Sequence, residues 1–467
     1  MFARTRINTR ISHKQVCRFA SAQYTNPSSG SRRSSTGPRT QYRLLEDVED
    51  LDRYCPGGYH PLQTGDDLNG QYRLVDKLGY GGYSTIWLAR DLQRARYVAV
   101  KAITADASAS TPESSLLNSL VDSSSTSIPG RGILPHLIDE FWVAGPNGKH
   151  RCIVTAPAQM SLFDAKEASV FRLFQPKVAQ SIIAQLIHGV AYLHNNNVVH
   201  GDLHLGNILV QSPKSIDRYT TSELHERFGE PEPEAVVRLD GKPLSNGVPA
   251  HVYLSGWFGV RSDEIAFGEE KIILSDFGES FNPYKTLRFS SKTLPLLQPP
   301  EARFSDEPLS FASEIWTLAC TIWEIMGQRP LLDTFFPNAD RVTAEQVEVL
   351  GVLPPEWWGK WSRRREWFNE DGELNVERTS TSQDCVRRTW EVRFSYSIQK
   401  PRAEAGLETV SENERRAFEE MLRSMLVFRP QDRATAQQVL HSTWMKEWGQ
   451  PALEESWDAS RSVTKGE

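Results

Sequence analysis

From Tyr72 the chain alternates apolar and polar positions in two runs, "YRLVDKLGYGGYSTIWLARD" and "YVAVKAI". Both are rich in β-branched and aromatic residues, and the first is split by a glycine-rich turn. This pattern predicts antiparallel strands joined by a hairpin. "RCIVTA" reads as a further apolar strand. Before it, "STPESSLLNSL" (residues 110–120) predicts a short helix, with Ser110 or Thr111 as cap and Pro112 in the first turn. The polar "VDSSSTSIPGRG" after that helix is a loop. From Pro176 the period lengthens. "PKVAQSIIAQLIHGVAYLHNNN" places Val178, Ile182, Ile183, Leu186, Val190 and Leu193 at helical spacing, and a run of Asn ends it. "RSMLVFRPQDRATAQQVLHSTWM" reads helix, loop, helix. A small β-rich part followed by a larger helical part predicts an α+β bilobal fold. The expected N-lobe spans residues 46–157 and the C-lobe 158–450. Residues 211–270 interrupt the pattern. They are polar and aperiodic, so they read as a surface insertion, with packed parts around "YLSGWFGV". Residues 451–467 read as a flexible tail.

Composition narrows the classes. The chain has 467 residues, enough for two or three lobes with cores of their own, and 39% are hydrophobic. Five cysteines without C-x-x-C spacing argue against a disulfide framework or a zinc site and fit a reducing compartment. No run of 18 apolar residues occurs, which argues against a membrane span. The net charge of −6 hides an asymmetry, because residues 1–45 hold nine Lys or Arg and no Asp or Glu. The remainder is therefore acidic. It can attract basic peptide partners, or it is simply a solvated surface. Residues 1–45 have the composition of a mitochondrial transit peptide, with a candidate processing site in "CRFASAQY", and equally of a disordered basic tail. Either reading leaves them outside the fold.

Candidate chemistry follows the strands. "GYGGYSTI" runs from Gly79 to Ile86 between two predicted strands, where glycines let backbone N–H groups approach phosphates; an ordinary tight turn is the alternative. Ser84 stands at the third glycine position. Lys101 ends "VAVK", and a Lys within an apolar strand needs partners. ATP phosphates and the Glu113 carboxylate are candidates; alone, it would read as a snorkelling surface Lys. In "HGDLHLGN", Asp202 can accept the proton of an attacking hydroxyl. Asn207 and the Asp276 of "LSDFGES" can hold Mg²⁺, which needs few protein oxygens beside phosphates.

The ordered series Gly79, Lys101, Glu113, Asp202, Asn207, Asp276 resembles the kinase-like fold. The H-G-D-x-H form of the loop also occurs in small-molecule phosphotransferases of that fold. "QPPEARF" with Glu301, "SEIWTLACTIWEIMGQRPL" with Glu314, and "RPQDRATAQQVLHSTWM" with Arg433 instead resemble motifs of protein kinases, in which Arg433 would pair with Glu301. Residues 53–91, "RYCPGGYHPLQTGDDLNGQYRLVDKLGYGGYSTIWLARD", resemble the start of the SR-protein kinases. "LGVLPPEWWGKW" (350–361) resembles the insert region of the larger group that includes them. The resemblance spans roughly residues 50–448.

That resemblance implies a Ser/Thr protein kinase using ATP and Mg²⁺. Its catalytic positions would be Asp202, Lys101, Glu113 and His204, and its metal ligands Asn207 and Asp276. Nucleotide-binding positions would be Leu78, Gly79, Tyr80, Gly81, Gly82, Tyr83, Ser84, Thr85, Ile86, Ala99 and Lys101. Ala156 and Ala158 would offer backbone groups to adenine, with Thr155 beside the pocket. Implied partners are basic or Arg/Ser-rich protein substrates, with no direct nucleic acid, and the chain is expected to be a monomer. The implied compartment is cytoplasm and nucleus; the basic N-terminus offers mitochondrion as the alternative. Two departures carry expectations. Gly201 replaces the Arg that reads an activation-loop phosphate, so activity should not depend on phosphorylation of that loop. His204 replaces a Lys that neutralises the transferring phosphate, so turnover should be slow or need His204 protonated. "SSKTLPLLQPPE" does not match the family's Arg-reading acceptor region. A catalytically weak or inactive scaffold with the same fold is the second reading.

Overall fold

The computed structural model describes residues 41–121, 130–375 and 388–464. The basic stretch 1–40 and most of the "VDSSSTSIPGRG" loop lie outside these described residues.

The alternating segments form one six-stranded antiparallel sheet. Its strands are β1 (Asp67–Leu68), β2 (Tyr72–Gly81), β3 (Ser84–Asp91), β4 (Arg96–Ile103), β5 (Leu137–Gly145) and β6 (Gly148–Thr155), in the order β1-β2-β3-β4-β6-β5. Their inward residues Tyr72, Leu74, Trp87, Ala89, Val98, Val100, Cys152 and Val154 pack into one apolar layer with Phe141. Side chains of period two can bury only one face in this way, which fixes the register. Helix α1 (Glu113–Val121) begins one residue after Pro112, whose carbonyl accepts the Leu116 N–H.

After Thr155 the chain enters a second body. Strand β7 (Ala158–Ser161) joins β8 (Ile208–Gln211) and β11 (Ile272–Leu274) in a three-stranded sheet ordered β11-β8-β7. The longer helices here are α2 (Leu162–Ala168), α3 (Pro176–Asn195), α4 (Thr221–Phe228), α5 (Phe311–Met326), α6 (Ala339–Leu350), α7 (Glu412–Met425) and α8 (Gln450–Thr464). The six apolar positions that set the helical period of α3 are all buried, and Pro176 sits at its first turn. Helix α5 is buried along nearly its whole length, which places α3 and α5 at the centre of the core. A small antiparallel lobe and a larger helical lobe make the bilobal fold.

Three expectations change. Residues 451–467 were to be a flexible tail, but α8 is a helix lying against α3. Ala452, Leu453 and Ser456 are buried there, Lys177 pairs with Glu455, and the Ser460 hydroxyl donates to the Gly268 carbonyl at 2.6 Å. Two of its three buried residues are small, so the apolar stripe is too faint to show as periodicity.

Residues 1–45 were to be excluded from the fold, but order begins by residue 41. Tyr42 is buried and bridges to Arg238, and the Arg43 N–H donates to the Val237 carbonyl at 2.9 Å.

The third change gives both anomalies a partner. The 211–270 insertion, placed in the C-lobe by sequence order, packs largely on the N-lobe. Ile216, Leu224 and Phe258 cluster with Val75, Leu88 and Tyr97 of the sheet. The hairpin of β9 (Pro233–Ala235) and β10 (His251–Tyr253) contributes to a second cluster, in which Val236, Val248 and Val252 meet Tyr42, Leu51, Tyr54 and Tyr59. Neither half of that cluster has a periodic pattern of its own. Each is a short apolar run that becomes core only when the other arrives.

Candidate active site

Lys101 lies on β4 beside Ile153 of β6, and Ala99 lies beside Thr155. The Lys101 Nζ donates to Glu113 Oε2 of α1 at 2.6 Å and to Asp276 Oδ1 at 3.0 Å. Burial works against this charge, but Asp276 and Glu113 outweigh it and hold the ammonium protonated well above its ordinary range. Lys101 in turn lowers the Asp276 carboxyl. One cation therefore ties the sheet, α1 and the loop after β11 together.

Asp276 adopts a left-handed backbone, with φ 60° and ψ 72°. A non-glycine residue held there stores strain, which is common where a side chain must be aimed.

The opposite side of the site is the loop from His200 to Asn207. His200 is fully buried. Its Nδ1 accepts the Asp202 N–H at 3.3 Å, its Nε2 lies 3.0 Å from the Ser275 carbonyl, and Phe277 packs edge-on against its ring. The Asn207 Nδ2 donates to the Asp202 carbonyl at 2.9 Å, with Asp202 Oδ2 at 3.4 Å. That leaves the amide oxygen of Asn207 as its free coordinating atom. The Ser275 N–H and hydroxyl both bind the Asn207 carbonyl, which couples the loop to the strand that delivers Asp276.

His204 caps the short turn Leu205–Asn207 by accepting the Gly206 N–H on Nδ1 at 3.0 Å. An accepting Nδ1 means a neutral ring with its proton on Nε2, the nitrogen 3.7 Å from Asp202 Oδ2. That distance is too long for a hydrogen bond. The ring does not need to be protonated to hold this position.

Glu314 of α5 sits beneath the loop. Its Oε1 accepts the N–H groups of His200 at 2.6 Å and Gly201 at 3.1 Å, and its Oε2 meets His194 Nε2 at 2.8 Å. Burial opposes the charge, yet His194, His200 and the backbone donors keep its carboxyl below the usual range. The sequence marked Glu314 only within a motif that resembles protein kinases; its several bonds to the loop depend on α5 passing below.

Gly201 has φ +83°, and a Cβ there would lie 2.5 Å from the Glu279 carbonyl oxygen. This backbone therefore cannot take Arg at that place without shifting. Glu279 itself accepts from Arg288 at 2.9 Å, and Arg288 stacks on Phe281 at 4.7 Å. A shallow surface cleft adjoins them, lined by Gly201, Arg288, Ser290, Lys292, Thr293 and Glu314 among others. Sequence reasoning did not find the Glu279–Arg288 pair, and nothing in the spacing of nine residues through an aperiodic loop would have flagged it. Further along, Arg433 forms a buried bidentate pair with Glu301, at 2.7 and 2.6 Å, and stacks on Trp316 at 5.0 Å.

The hairpin of β2 and β3 pairs Gly79 with Ile86, Tyr80 with Thr85, and Gly81 with Ser84, so Gly82 and Tyr83 form its tip. A Cβ at Gly79 or Gly81 would meet nothing within 4 Å, so the hairpin is open on the side of those positions. Leu78 packs partly into the cluster with Val75 and Leu88. Ala99 is buried, Ala156 and Ala158 are half-buried, and the segment 155–158 links β6 to β7.

The donor set fits Mg²⁺. Asn207 and Asp276 supply hard oxygens from two elements tied together through Ser275, and Mg²⁺ takes one or two protein oxygens beside phosphates. Among the described residues no group of three His, Cys, Asp or Glu forms a denser metal site. No helix among them is long and apolar enough to cross a membrane.

Comparison with known proteins points the same way. Residues 72–217 match the protein kinase domain family. A serine/threonine protein kinase of Aspergillus fumigatus is 27% identical over 435 residues, covering 89% of this chain and 96% of that protein. The serine/threonine-protein kinase SRPK of Physarum polycephalum is 27% identical over 425 residues, 86% of this chain and 92% of its own. Human SRSF protein kinase 3 is 36% identical over 198 residues, 41% of this chain and 35% of that one. The chain carries a protein kinase domain and resembles the serine/threonine kinases of the SR-protein kinase family.

Proposed function

We propose that this chain transfers the γ-phosphate of ATP to Ser or Thr hydroxyls of basic, Arg/Ser-rich proteins. The carrying observation is the convergence of Lys101, Glu113 and Asp276 on one side with the Asp202–Asn207 pair on the other. Lys101, held charged by two carboxylates, positions phosphate oxygens. Asp202, its backbone fixed by His200 and Asn207, orients the acceptor hydroxyl and takes its proton as the oxygen attacks phosphorus. The bridging oxygen leaves with ADP. Asn207 and Asp276 would hold Mg²⁺, which when bound neutralises charge on the phosphates. His204 keeps the loop turned through Gly206 and presents an N–H, a weaker neutraliser than an ammonium, so turnover is slow.

Kinship to the SR-protein kinases supports Arg/Ser-rich acceptors, and so does the acidic balance of the chain beyond residue 45. The same kinship supports cytoplasm and nucleus as the compartment, action as a monomer, and no direct contact with nucleic acid. Imaging of the tagged full chain tests the compartment, since import into mitochondria would favour the transit reading of the N-terminus.

The test of function is a radiolabelled-ATP assay with Mg²⁺ on an Arg/Ser-repeat peptide, its Ser→Ala control and myelin basic protein, with Asp202→Asn beside the wild type. Label on the Arg/Ser peptide alone, lost in the variant, is the expected result. Label only on the generic basic protein removes the proposed substrate class. No label on any acceptor, with ATP still raising the melting temperature, leaves a nucleotide-binding scaffold.

A further inference from the structure

Residues 50–60 precede the first strand of the sheet, yet they reach the tip of the glycine-rich hairpin. The Tyr59 hydroxyl donates to the Gly81 carbonyl at 2.8 Å. Arg53 stacks on the Tyr59 ring at 5.2 Å and on the Tyr83 ring at 5.5 Å, so it bridges this segment and the hairpin tip. Its Nη2 also lies 3.7 Å from Asp106 Oδ2. The backbone of the segment doubles back tightly: the Tyr59 N–H donates to the Arg53 carbonyl, and a Cβ on Gly58 would fall 1.7 Å from that carbonyl oxygen. Only glycine fits there.

The segment is not free to follow the hairpin if the hairpin moves. The Gly57 N–H donates to Asn147 O, and the Gly57 and Gly58 carbonyls accept from Asp106 and Ala105, beyond β4. The buried Asn147 amide donates to both the Tyr59 carbonyl and the Gly247 carbonyl of the insertion, each at 2.7 Å. The platform thus rests on the end of β4, the β5–β6 turn and the insertion. Burial pushes the Tyr59 hydroxyl up to about 12, so it remains a donor through the physiological range.

We propose that Tyr59, stacked under Arg53, is a positioning residue for nucleotide, because it fixes the plane of the Gly81–Gly82 peptide. In a trans peptide the carbonyl and the following N–H point in opposite directions. Holding the Gly81 carbonyl against Tyr59 therefore directs the Gly82 N–H away from the platform, and this is a backbone donor of the kind that cradles phosphates. Glycines at 81 and 82 offer no Cβ to stiffen this peptide, so the Tyr59 bond adds to the pairing of Gly81 with Ser84 in fixing it. The inference rests on the nucleotide-binding part of the proposed function and extends it to residues outside the hairpin.

The experiment compares wild type, Tyr59→Phe and Arg53→Ala in the full chain, in three readouts. Amide exchange of residues 82–84 reports the hairpin tip without ligand. ATP–Mg²⁺ affinity by calorimetry reports binding without chemistry. ATP and peptide KM report the reaction. Tyr59→Phe keeps the ring and removes one hydrogen bond. It should speed exchange at residues 82–84 and weaken ATP binding about three- to ten-fold, with peptide KM and melting temperature nearly unchanged. Arg53→Ala should act in the same direction. Unchanged exchange at the tip overturns the proposal, as does faster exchange with unaltered ATP affinity, or a wild type that binds no nucleotide. If Tyr59→Phe weakens ATP binding while neither protein transfers phosphate, the tether stands and the phosphotransfer reading fails.

Discussion

The catalytic loop is held from inside the molecule, and the glycine-rich hairpin from outside it. Beneath the loop lies Glu314 on a helix buried along nearly its whole length, and each of its bonds reaches residues 194–201. The hairpin has no such floor. Besides the Thr104 N–H, which donates to the Tyr83 carbonyl, its restraints come from the segment 50–60, which depends on an insertion some 190 residues further on. The two regions place phosphate-handling groups by different means. One uses the core of the domain, and the other uses the segment before the sheet and the insertion packed on it.

The sharpest break in this contrast is chemical. Asp202→Asn should lower transfer about 10²- to 10⁴-fold while ATP still raises the melting temperature, because the loop geometry is built on backbone bonds. Retained transfer would show that Asp202 does not take the proton.

Breaking the inner support comes next. Glu301→Ala leaves the buried Arg433 guanidinium without its bidentate partner and should cost about 3–5 kcal/mol, read by chemical denaturation. Glu314→Gln should cost less, about 1–3 kcal/mol, and lower transfer more than ATP affinity. The sign of its pH effect follows from a folded pKa held below the free value. The Glu314 contribution is whole above the free carboxylate range and is lost as pH falls through the folded value, so acid should narrow the gap between wild type and variant.

Gly201→Arg tests why the loop departs from the usual motif. Restoring the common residue should destabilise by about 1–3 kcal/mol, since φ is +83° and Glu279 blocks the Cβ. It should not make activity depend on phosphorylation. Phosphatase treatment should leave the wild type unaffected, and a loss of activity would show that the Glu279–Arg288 pair does not suffice. Arg288→Ala removes a part-exposed pair and should cost under about 1 kcal/mol.

The outer support carries a milder acid sensitivity. The His60 and His150 rings pack at a tilt with centroids 4.7 Å apart, and burial with the His150 charge lowers His60 from 6.5 to about 4. A His held below its free value is stabilising when neutral. Its contribution is complete above about pH 6.5 and declines as pH falls toward 4. His60→Gln should flatten the melting temperature against pH in that window. An unchanged slope would place the sensitivity elsewhere.

The same contrast explains what the sequence disclosed. The strands around "VAVK", the helix 176–195 and the loop at Asp202 each carry their pattern within twenty residues, because their burial or chemistry repeats locally. Glu113 could be named because a lysine inside an apolar strand needs a partner and the next helix offered a carboxylate. The Tyr42–Val236 cluster, the Asn147 bridge and the Glu279–Arg288 pair have no local signature, as each half is unremarkable until the fold supplies the other. The C-terminal helix was missed for a related reason: its buried face is short and built largely from small side chains.

One more feature bears on where this domain begins. Lys77, in β2, is wholly buried; it pairs with Glu49, which also accepts from Tyr54, and donates to the Tyr253 carbonyl at 3.1 Å. The kinase family match starts at Tyr72. A fragment cut at that boundary would retain the lysine and discard its counter-ion, stranding a charge inside the sheet. The smallest autonomous unit is therefore set by neutralisation rather than by motif: it must start before Glu49 and retain the insertion that closes over it.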